Sequence, residues 1–222
     1  MDLTAMLDFL KKLSANNDRG WMAANKKEYE QVRDEFYVLV QALIDHLSLI
    51  DRSLVGLGYK DCVYRIHRDI RFSNDKRPYK DYFSAYIMPG GKKSMCTKVG
   101  YYFHIQPGGQ SIVAGGVHMP PSDVLKKIRR EIAACGDELL AIVNAPRFKS
   151  VFGEMEGARL KIRPVDYPAD HEYIELLKMK EFDAVYYYKD DNLLKDGRAF
   201  LDDVVGKFRM LKPLNDFFNE IE

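Results

Sequence analysis

The chain has 222 residues, of which 46% are hydrophobic and 30% are charged, as is typical of a globular protein with a sizeable core. Its 34 basic and 33 acidic side chains nearly cancel. This balance argues against a nonspecific nucleic-acid binder, because such proteins usually carry a strong positive excess.

The N-terminal part of the chain has the apolar spacing of helices. The apolar residues of 3–14 recur at helical intervals, and the polar segment 16–20 reads as the break that follows. A second helix is predicted from Met22 to about Leu49. Trp21, the only tryptophan, lies at the junction, where we expect it to pack the two helices together.

From residue 60 to residue 118 the apolar pattern changes to a period of two, which is typical of strands with one buried face. Pro-Gly-Gly turns at 89–91 and 107–109 separate the alternating runs at 83–87, 99–105 and 111–117. Such short connections predict antiparallel neighbours in a meander.

Helical signals return after the strands. Pro121-Ser122 offers a cap for a predicted helix that ends near Gly136, and another helix is predicted over 137–144. Beyond it we predict a short strand over 160–165, a helix over 171–179, a strand over 184–189 and a helix from about 193 to 218 with a kink or restart at Pro213. The fold class is therefore α+β: a single domain, 1–222, in which an antiparallel β-meander sheet packs against N-terminal and C-terminal helices.

Cys62, Cys96 and Cys135 are odd in number and widely spaced, which favours reduced thiols over a disulfide framework. No apolar stretch approaches the roughly twenty residues that span a bilayer. The N-terminal segment lacks the basic and apolar regions of a secretory signal. We therefore expect a cytoplasmic protein that does not act in a membrane.

The most distinctive segment is 65–80, which holds six cationic side chains and His67 within sixteen positions. Planar guanidinium groups match carboxylate and phosphate oxygens two at a time, so the run predicts a clamp for an anion. The predicted ligand-binding residues are Arg65, Arg68, Arg71, Lys76 and Lys80.

If residues 62–72 were extended, Arg65, His67, Asp69 and Arg71 would share one face. The other face, which ends at Phe72, is apolar enough to be directed at the core. Arg68 would lie on that apolar face and would need a carboxylate partner. Asp75, Asp81 or a remote carboxylate could supply it.

Three residues in this region are candidates for catalysis. Asp69 could orient the arginines or act as a base, and Tyr79 or His67 could carry a proton. A purely structural interpretation stands beside this one. In it the charges form an ion-pair network, Tyr79 caps the core and His67 is a neutral structural histidine.

The histidines are poor metal ligands, since neither HExxH nor HxH occurs. The hairpin would pair residue 104 with about residue 113, which leaves His118 roughly 16 Å further along its strand. We therefore predict no metal site and no cofactor, although Mg²⁺ held by Asp69 or Asp75 with a substrate phosphate stays open. Gly115 and Gly116 precede a helix N-terminus that could bind an anion, but a bulge and a cap explain them equally well.

The run Arg65-x-x-Arg68-Asp69-x-Arg71-Phe72, with Asp75, Lys76 and Tyr79 after it, resembles the hallmark of an uncharacterised family of bacterial and fungal proteins that is classed as a domain of unknown function. Further similar segments are Asn16-Asn17, Trp21, Asn25-Lys26 with Tyr29, Gly115-Gly116 with Pro120, Leu160-Lys161, Asp170-His171 and Leu176-Leu177. The resemblance implies one domain of about this length in a cytosolic bacterial protein. It implies no activity.

Three functions fit these observations. The first is an enzyme or binding domain with an arginine-rich pocket for a small phosphorylated or polycarboxylate ligand. The second is a noncatalytic module for a nucleic acid or an acidic protein segment, with rings among the charges for stacking. The third is an interaction protein in which the run is a structural ion-pair network.

Overall fold

The structure is a computed structural model that describes residues 2–94, 97–193 and 196–221. The described helices are α1 (Leu3–Ala15), α2 (Arg19–Ala24), α3 (Lys26–Leu47), α4 (Tyr59–Cys62), α5 (Ser122–Val143), α6 (Pro146–Phe152), α7 (Ile174–Leu177), α8 (Asp190–Leu193) and α9 (Gly197–Asn219). The strands are β1 (Phe83–Ile87), β2 (Tyr101–Ile105), β3 (Ser111–Val117) and β4 (Phe182–Tyr188). Short 3₁₀ turns lie at Arg52–Leu54 and Gly91–Ser94.

The four strands form one antiparallel sheet in the order β1-β2-β3-β4, which confirms the α+β prediction. The expected register between β2 and β3 was wrong by one residue, since His104 lies opposite Ile112 and Phe103 opposite Val113. His118 is therefore even further from His104 along the sheet than predicted.

One face of the sheet is buried and the other is partly open. In β2, Tyr101, Phe103 and Ile105 are buried while Tyr102 and His104 are only half-buried. Helices α3 and α9 supply rings to the buried face: Phe36 of α3 lies 5.4 Å from Phe83, and Phe208 of α9 lies 5.3 Å from Tyr101, measured between ring centroids. The predicted packing of the sheet against N-terminal and C-terminal helices is therefore confirmed.

The predicted helix from Met22 to Leu49 is divided in two. Asn25 ends α2 and precedes α3, because its backbone leaves the helical region and its side-chain amide donates to the Trp21 carbonyl. Trp21 lies 5.8 Å from Phe9 of α1, as its expected position between helices requires.

Two expected breaks in the C-terminal half turn out differently. Helix α5 is kinked at Cys135, close to the predicted end near Gly136, and then continues to Val143. Helix α9 runs across Pro213 without a restart. A proline removes one backbone hydrogen bond, and here burial of Leu211 and Leu214 on either side keeps the helix packed in the core.

The strand predicted over 160–165 is absent from the described residues. Ile162 and Val165 are exposed there, and only an isolated bridge between Arg159 and Met179 pairs this region. Without a continuous partner strand an apolar run gains no ladder of hydrogen bonds. The helix predicted over 171–179 is reduced to α7, and α6 was not predicted.

The two Pro-Gly-Gly segments differ. The turn at 107–109 joins β2 to β3 as predicted, and the backbone N–H groups of Gly108 and Gly109 donate to the Asp190 carboxylate at 3.0 and 2.9 Å. The segment at 89–91 instead opens a longer connection that includes a 3₁₀ turn, so the predicted tight turn was wrong. The alternating pattern was expected to begin at residue 60, but the short helix α4 occupies that position.

None of the helices in the described ranges combines the length and the hydropathy that crossing a bilayer requires. Cys62 and Cys135 are free thiols, whereas the prediction for Cys96 lies outside the described residues. Burial raises the pKa of the Cys62 thiol to about 11, which makes it a poor nucleophile.

Candidate functional site

The cationic run begins as an irregular strand that extends the sheet beyond β1. The backbone N–H of Tyr64 donates to the Ser84 carbonyl at 2.9 Å, and that of Lys80 donates to the Ile66 carbonyl at 2.8 Å. In the last hydrogen bond of this pairing, the Arg68 N–H donates to the Pro78 carbonyl at 2.9 Å. Residues 63–68 and 78–85 are thus two antiparallel arms, and residues 69–77 form the loop between them.

Asn17, in the break after α1, holds the returning arm to the helices. Its side-chain carbonyl accepts from the Tyr79 N–H, and its amide donates to the Tyr79 carbonyl, both at 3.1 Å. The side chain therefore takes the place of a paired strand for one residue. The Tyr79 ring is buried and lies 5.1 Å from the His67 ring, measured between centroids.

The loop contains the same local unit twice, an aspartate followed two residues later by an arginine. Asp69 accepts from the backbone N–H of Arg71 at 3.2 Å and from its guanidinium at 2.6 Å. Asp75 accepts from the backbone N–H of Arg77 at 3.0 Å and from its guanidinium at 2.8 Å. Each aspartate thereby fixes both a backbone turn and the direction of a guanidinium.

Asp75 also supplies the partner that Arg68 was expected to need, at 2.6 Å. Hydrogen bonds from Arg77 and then from Arg68 hold the pKa of Asp75 well below its ordinary value. In the same way Arg71 lowers the pKa of Asp69. The guanidinium groups of Arg68, Arg71 and Arg77 are therefore each already paired with a carboxylate inside the loop.

The extended geometry predicted for residues 62–72 holds only as far as Arg68. Ile66 is buried as expected, but Phe72 is 95% exposed, so the prediction that its face is directed at the core was wrong. The reason is that pairing with the returning arm ends at Arg68, and beyond it the two aspartate–arginine units curl the chain away from the sheet.

Between the arms and the loop lies an open cleft of about 360 Å³. Its lining combines cationic, acidic and aromatic side chains: Arg68, Asp69, Arg77, Tyr79, Lys80, Asp81 and Tyr82. Asp81 is engaged by Arg77 at 3.7 Å and by the Gln106 amide at 3.3 Å. Residues 65–81 hold six cations and three carboxylates, which leaves an excess of positive charge around the cleft.

Lys80 is unlike the other cations of the run. Its ammonium lies 5.2 Å from the centroid of the Tyr64 ring and 5.6 Å from that of Tyr82. Among the described residues, neither Lys80 nor Arg65 forms a salt bridge. Partial burial, followed by repulsion from Arg65, lowers the pKa of Lys80. Lys80 lines the cleft, whereas Arg65 is exposed on the opposite arm, outside the cleft lining.

The structure places the other predicted residues as follows. Asp69 and Tyr79 line the cleft, whereas His67 is exposed on the arm outside the cleft lining. Arg71 is exposed and paired with Asp69. Lys76 donates to the Ile70 carbonyl at 3.1 Å, so it fastens the loop. The catalytic roles of Asp69, Tyr79 and His67 remain predictions, and the lowered pKa of Asp69 makes that carboxylate a weak base.

Sequence reasoning missed Arg77 and Asn17 as parts of this site. The repeated Asp-x-Arg spacing was a readable signal for Arg77, since an aspartate commonly bonds the backbone two residues on. Nothing local marks Asn17, because its partner lies 62 residues away in the chain.

Across the described residues, no three His, Cys, Asp or Glu side chains cluster as a metal site would require. Asp69 and Asp75, the carboxylates considered for Mg²⁺, are both engaged by arginines. The Gly115–Gly116 segment is explained by packing: Gly116 has a φ of +96° and its N–H donates to Asn215, while a Cβ at Gly115 would lie 3.2 Å from Leu211.

A family model described as "Conserved hypothetical protein (DUF2461)" matches residues 5–217. No curated protein and no solved structure matches the chain. The match covers both arms, the loop and the cleft between them.

Proposed function

Because the chain belongs to the DUF2461 family of conserved hypothetical proteins, whose description states no activity, we propose from the geometry that the cleft beside Lys80 binds a small phosphorylated or polycarboxylate ligand. The proposed contacts are Lys80, which lines the cleft, and Arg65, which is exposed on the opposite arm and would reach the ligand from outside the cleft lining. Arg68 and Arg77, held in place by Asp75, would add a fixed positive field at the other wall.

The observation that carries this proposal is the position of the Lys80 ammonium. It is half-buried, lines the cleft and, like the exposed Arg65 of the opposite arm, has no carboxylate partner among the described residues. Desolvating a charge without a counterion is unfavourable, and the two tyrosine rings offset only part of that cost. An anionic ligand would supply the missing counterion for both cations.

The cationic run is shared between two of the hypotheses, the structural ion-pair network and the ligand site. Arg71, Arg77 and Lys76 hold the loop in shape, as the structural interpretation expects. Arg65 and Lys80 are left for a ligand. Arg68 belongs to both groups, since it bonds Asp75 and lines the cleft.

Calorimetric titration with pyrophosphate and with citrate at low salt tests the proposal. We expect the wild-type protein to bind at least one of them. Lys80→Met should weaken this binding about tenfold or more, which is the usual contribution of a charged hydrogen-bond donor, without lowering the melting temperature. The substitution keeps the apolar stem against the rings and removes only the charge.

The matched control is Lys26→Met, which removes an exposed lysine on α3, far along the chain from the cleft. It should leave the affinity unchanged. The proposal fails if neither anion binds the wild-type protein, or if Lys80→Met and Arg65→Gln bind as tightly as the wild type does.

A further inference from the structure

Phe72 is the most exposed of the large apolar side chains in the described residues, at 95%. Its neighbourhood is cationic: the Arg71 guanidinium lies 5.8 Å from the ring centroid. Single exposed apolar residues are common on protein surfaces. This one differs because the loop that presents it is held by the two aspartate–arginine units and by Lys76.

Phe72 is also connected to the cleft through short contacts. Asp69 lines the cleft and holds the Arg71 guanidinium at 2.6 Å, and that guanidinium in turn packs beside Phe72. In the cleft, the Lys80 ammonium lies 5.6 Å from the Tyr82 ring centroid. A cation thus stands beside an aromatic ring both in the cleft and at the tip of the loop, where Arg71 neighbours Phe72.

We propose that the natural ligand of this surface is a short single-stranded nucleic acid, with a phosphate held by Lys80 and Arg65 and a base stacked on Phe72. This inference rests on the proposed function, because it takes the anion in the cleft to be one phosphate of the strand. A polymer of phosphates and planar bases matches a surface on which cations stand beside aromatic rings at two places.

The other two classes of partner fit less well. Membrane insertion needs a larger apolar area than one phenyl ring, and the loop beside it carries the polar residues Ser73 and Asn74. An acidic protein segment would satisfy the cations but gives no reason for a rigid ring beside a guanidinium. Because only Lys80 and Arg65 are left for phosphates, the contact is limited to a few nucleotides.

The test is fluorescence anisotropy with 5′-phosphorylated single strands of DNA and RNA about six nucleotides long. We expect binding that weakens as salt rises. Phe72→Ala should lower the affinity for the strand about tenfold while leaving pyrophosphate binding unchanged, and Phe72→Trp should restore it. Lys80→Met should weaken the binding of both ligands. Val165→Ala, which removes another highly exposed apolar side chain, serves as the matched control.

Several outcomes would overturn the inference. If pyrophosphate binds but the strand does not, the anion site stands and the nucleic-acid assignment fails. If pyrophosphate, citrate and the strand all fail to bind, both proposals fail. Equal strand affinities for Phe72→Ala and Val165→Ala would remove the stacking role. The protein could instead bind phosphatidylserine vesicles or a poly-glutamate peptide in a way that depends on Phe72, and bind no nucleic-acid strand. That result would assign this surface to another class of partner.

Discussion

Asp75 accepts hydrogen bonds from Arg68 and Arg77 and from the backbone of its own loop. Asp69 performs the same role for Arg71 alone. Ion pairs between exposed side chains usually contribute little to the free energy of unfolding. Here the Arg68 side chain is only 24% exposed, so it depends on Asp75 more than an ordinary surface arginine would.

We expect Asp75→Asn to lower the melting temperature more than Asp69→Asn does. Asparagine can keep the backbone turn, but it removes the charge that pairs with the arginines. Thermal unfolding at neutral pH, followed by circular dichroism, measures the difference. Equal effects of the two substitutions would contradict the greater structural role given to Asp75.

A comparison of the wild-type protein with Asp75→Asn also yields a prediction about pH. Because the pKa of Asp75 in the folded state is depressed below its ordinary value of 3.8, its stabilising effect is fully present above that value. This stabilisation is lost as the pH falls below 3.8 toward the lower pKa that Asp75 has in the folded state. The melting-temperature gap between wild type and Asp75→Asn should therefore be constant from about pH 7 to pH 5 and shrink below about pH 4. A gap that closes above about pH 5 would point to another titrating group.

At the scale of the element, the returning arm of the site is fixed by a residue from the helical part of the fold. Asn17 makes two hydrogen bonds with the backbone of Tyr79. Residues 78–82 carry both Lys80 and Tyr82 to the cleft. The position of Asn17 thus couples the break after α1 to the geometry of the candidate site.

Asn17→Ala should cost about 1–3 kcal/mol in the free energy of unfolding, because it leaves the N–H and the carbonyl of Tyr79 without these partners. It should also weaken anion binding, since the arm that carries Lys80 loses its anchor. Chemical denaturation and calorimetry measure the two effects. Asn16→Ala is the control, because Asn16 is exposed and its amide bonds only the Lys12 carbonyl among the described residues. The anchoring role is rejected if both substitutions cost the same.

At the scale of the whole molecule, α9 and β4 meet around a buried polar group. Lys207 is only 7% exposed, and its ammonium lies 4.1 Å from the Tyr186 ring centroid and 2.6 Å from Asp203. The Tyr188 hydroxyl donates to the same carboxylate at 2.7 Å. Every buried side-chain nitrogen and oxygen in the described part of the chain likewise has a hydrogen-bond partner.

We expect Asp203→Asn to destabilise the fold more than Lys207→Met. Removing the carboxylate leaves a buried ammonium unpaired, whereas methionine keeps the stem packed against the two tyrosine rings. About half of the Asp203 side chain is in solvent, so the cost should be about 1–3 kcal/mol and not the larger value of a fully buried pair. Urea denaturation of both variants measures it. A larger loss for Lys207→Met would show that the ammonium itself stabilises the core.

Much of the architecture could be predicted because it depends on periodic patterns within one segment. The apolar spacing of α1 and the alternation in β2 each record which side of an element is buried, whereas β3 is buried on both faces along most of its length. The pattern was less informative where no partner strand exists, as at 160–165. It also missed the break at Asn25, where one side chain bonds the preceding turn.

For the site, the concentration of cations over 65–80 was predicted and the repeated Asp-x-Arg spacing was readable, because both depend only on residues close together in the chain. Which cations are already paired with a carboxylate depends on the folded arrangement of the arms and the loop. Lys80 approaches Tyr64 because two arms pair in one particular register, and Tyr79 meets Asn17 because a helix break packs against that arm. Such contacts between distant residues follow from strand pairing and core packing, which no local spacing specifies.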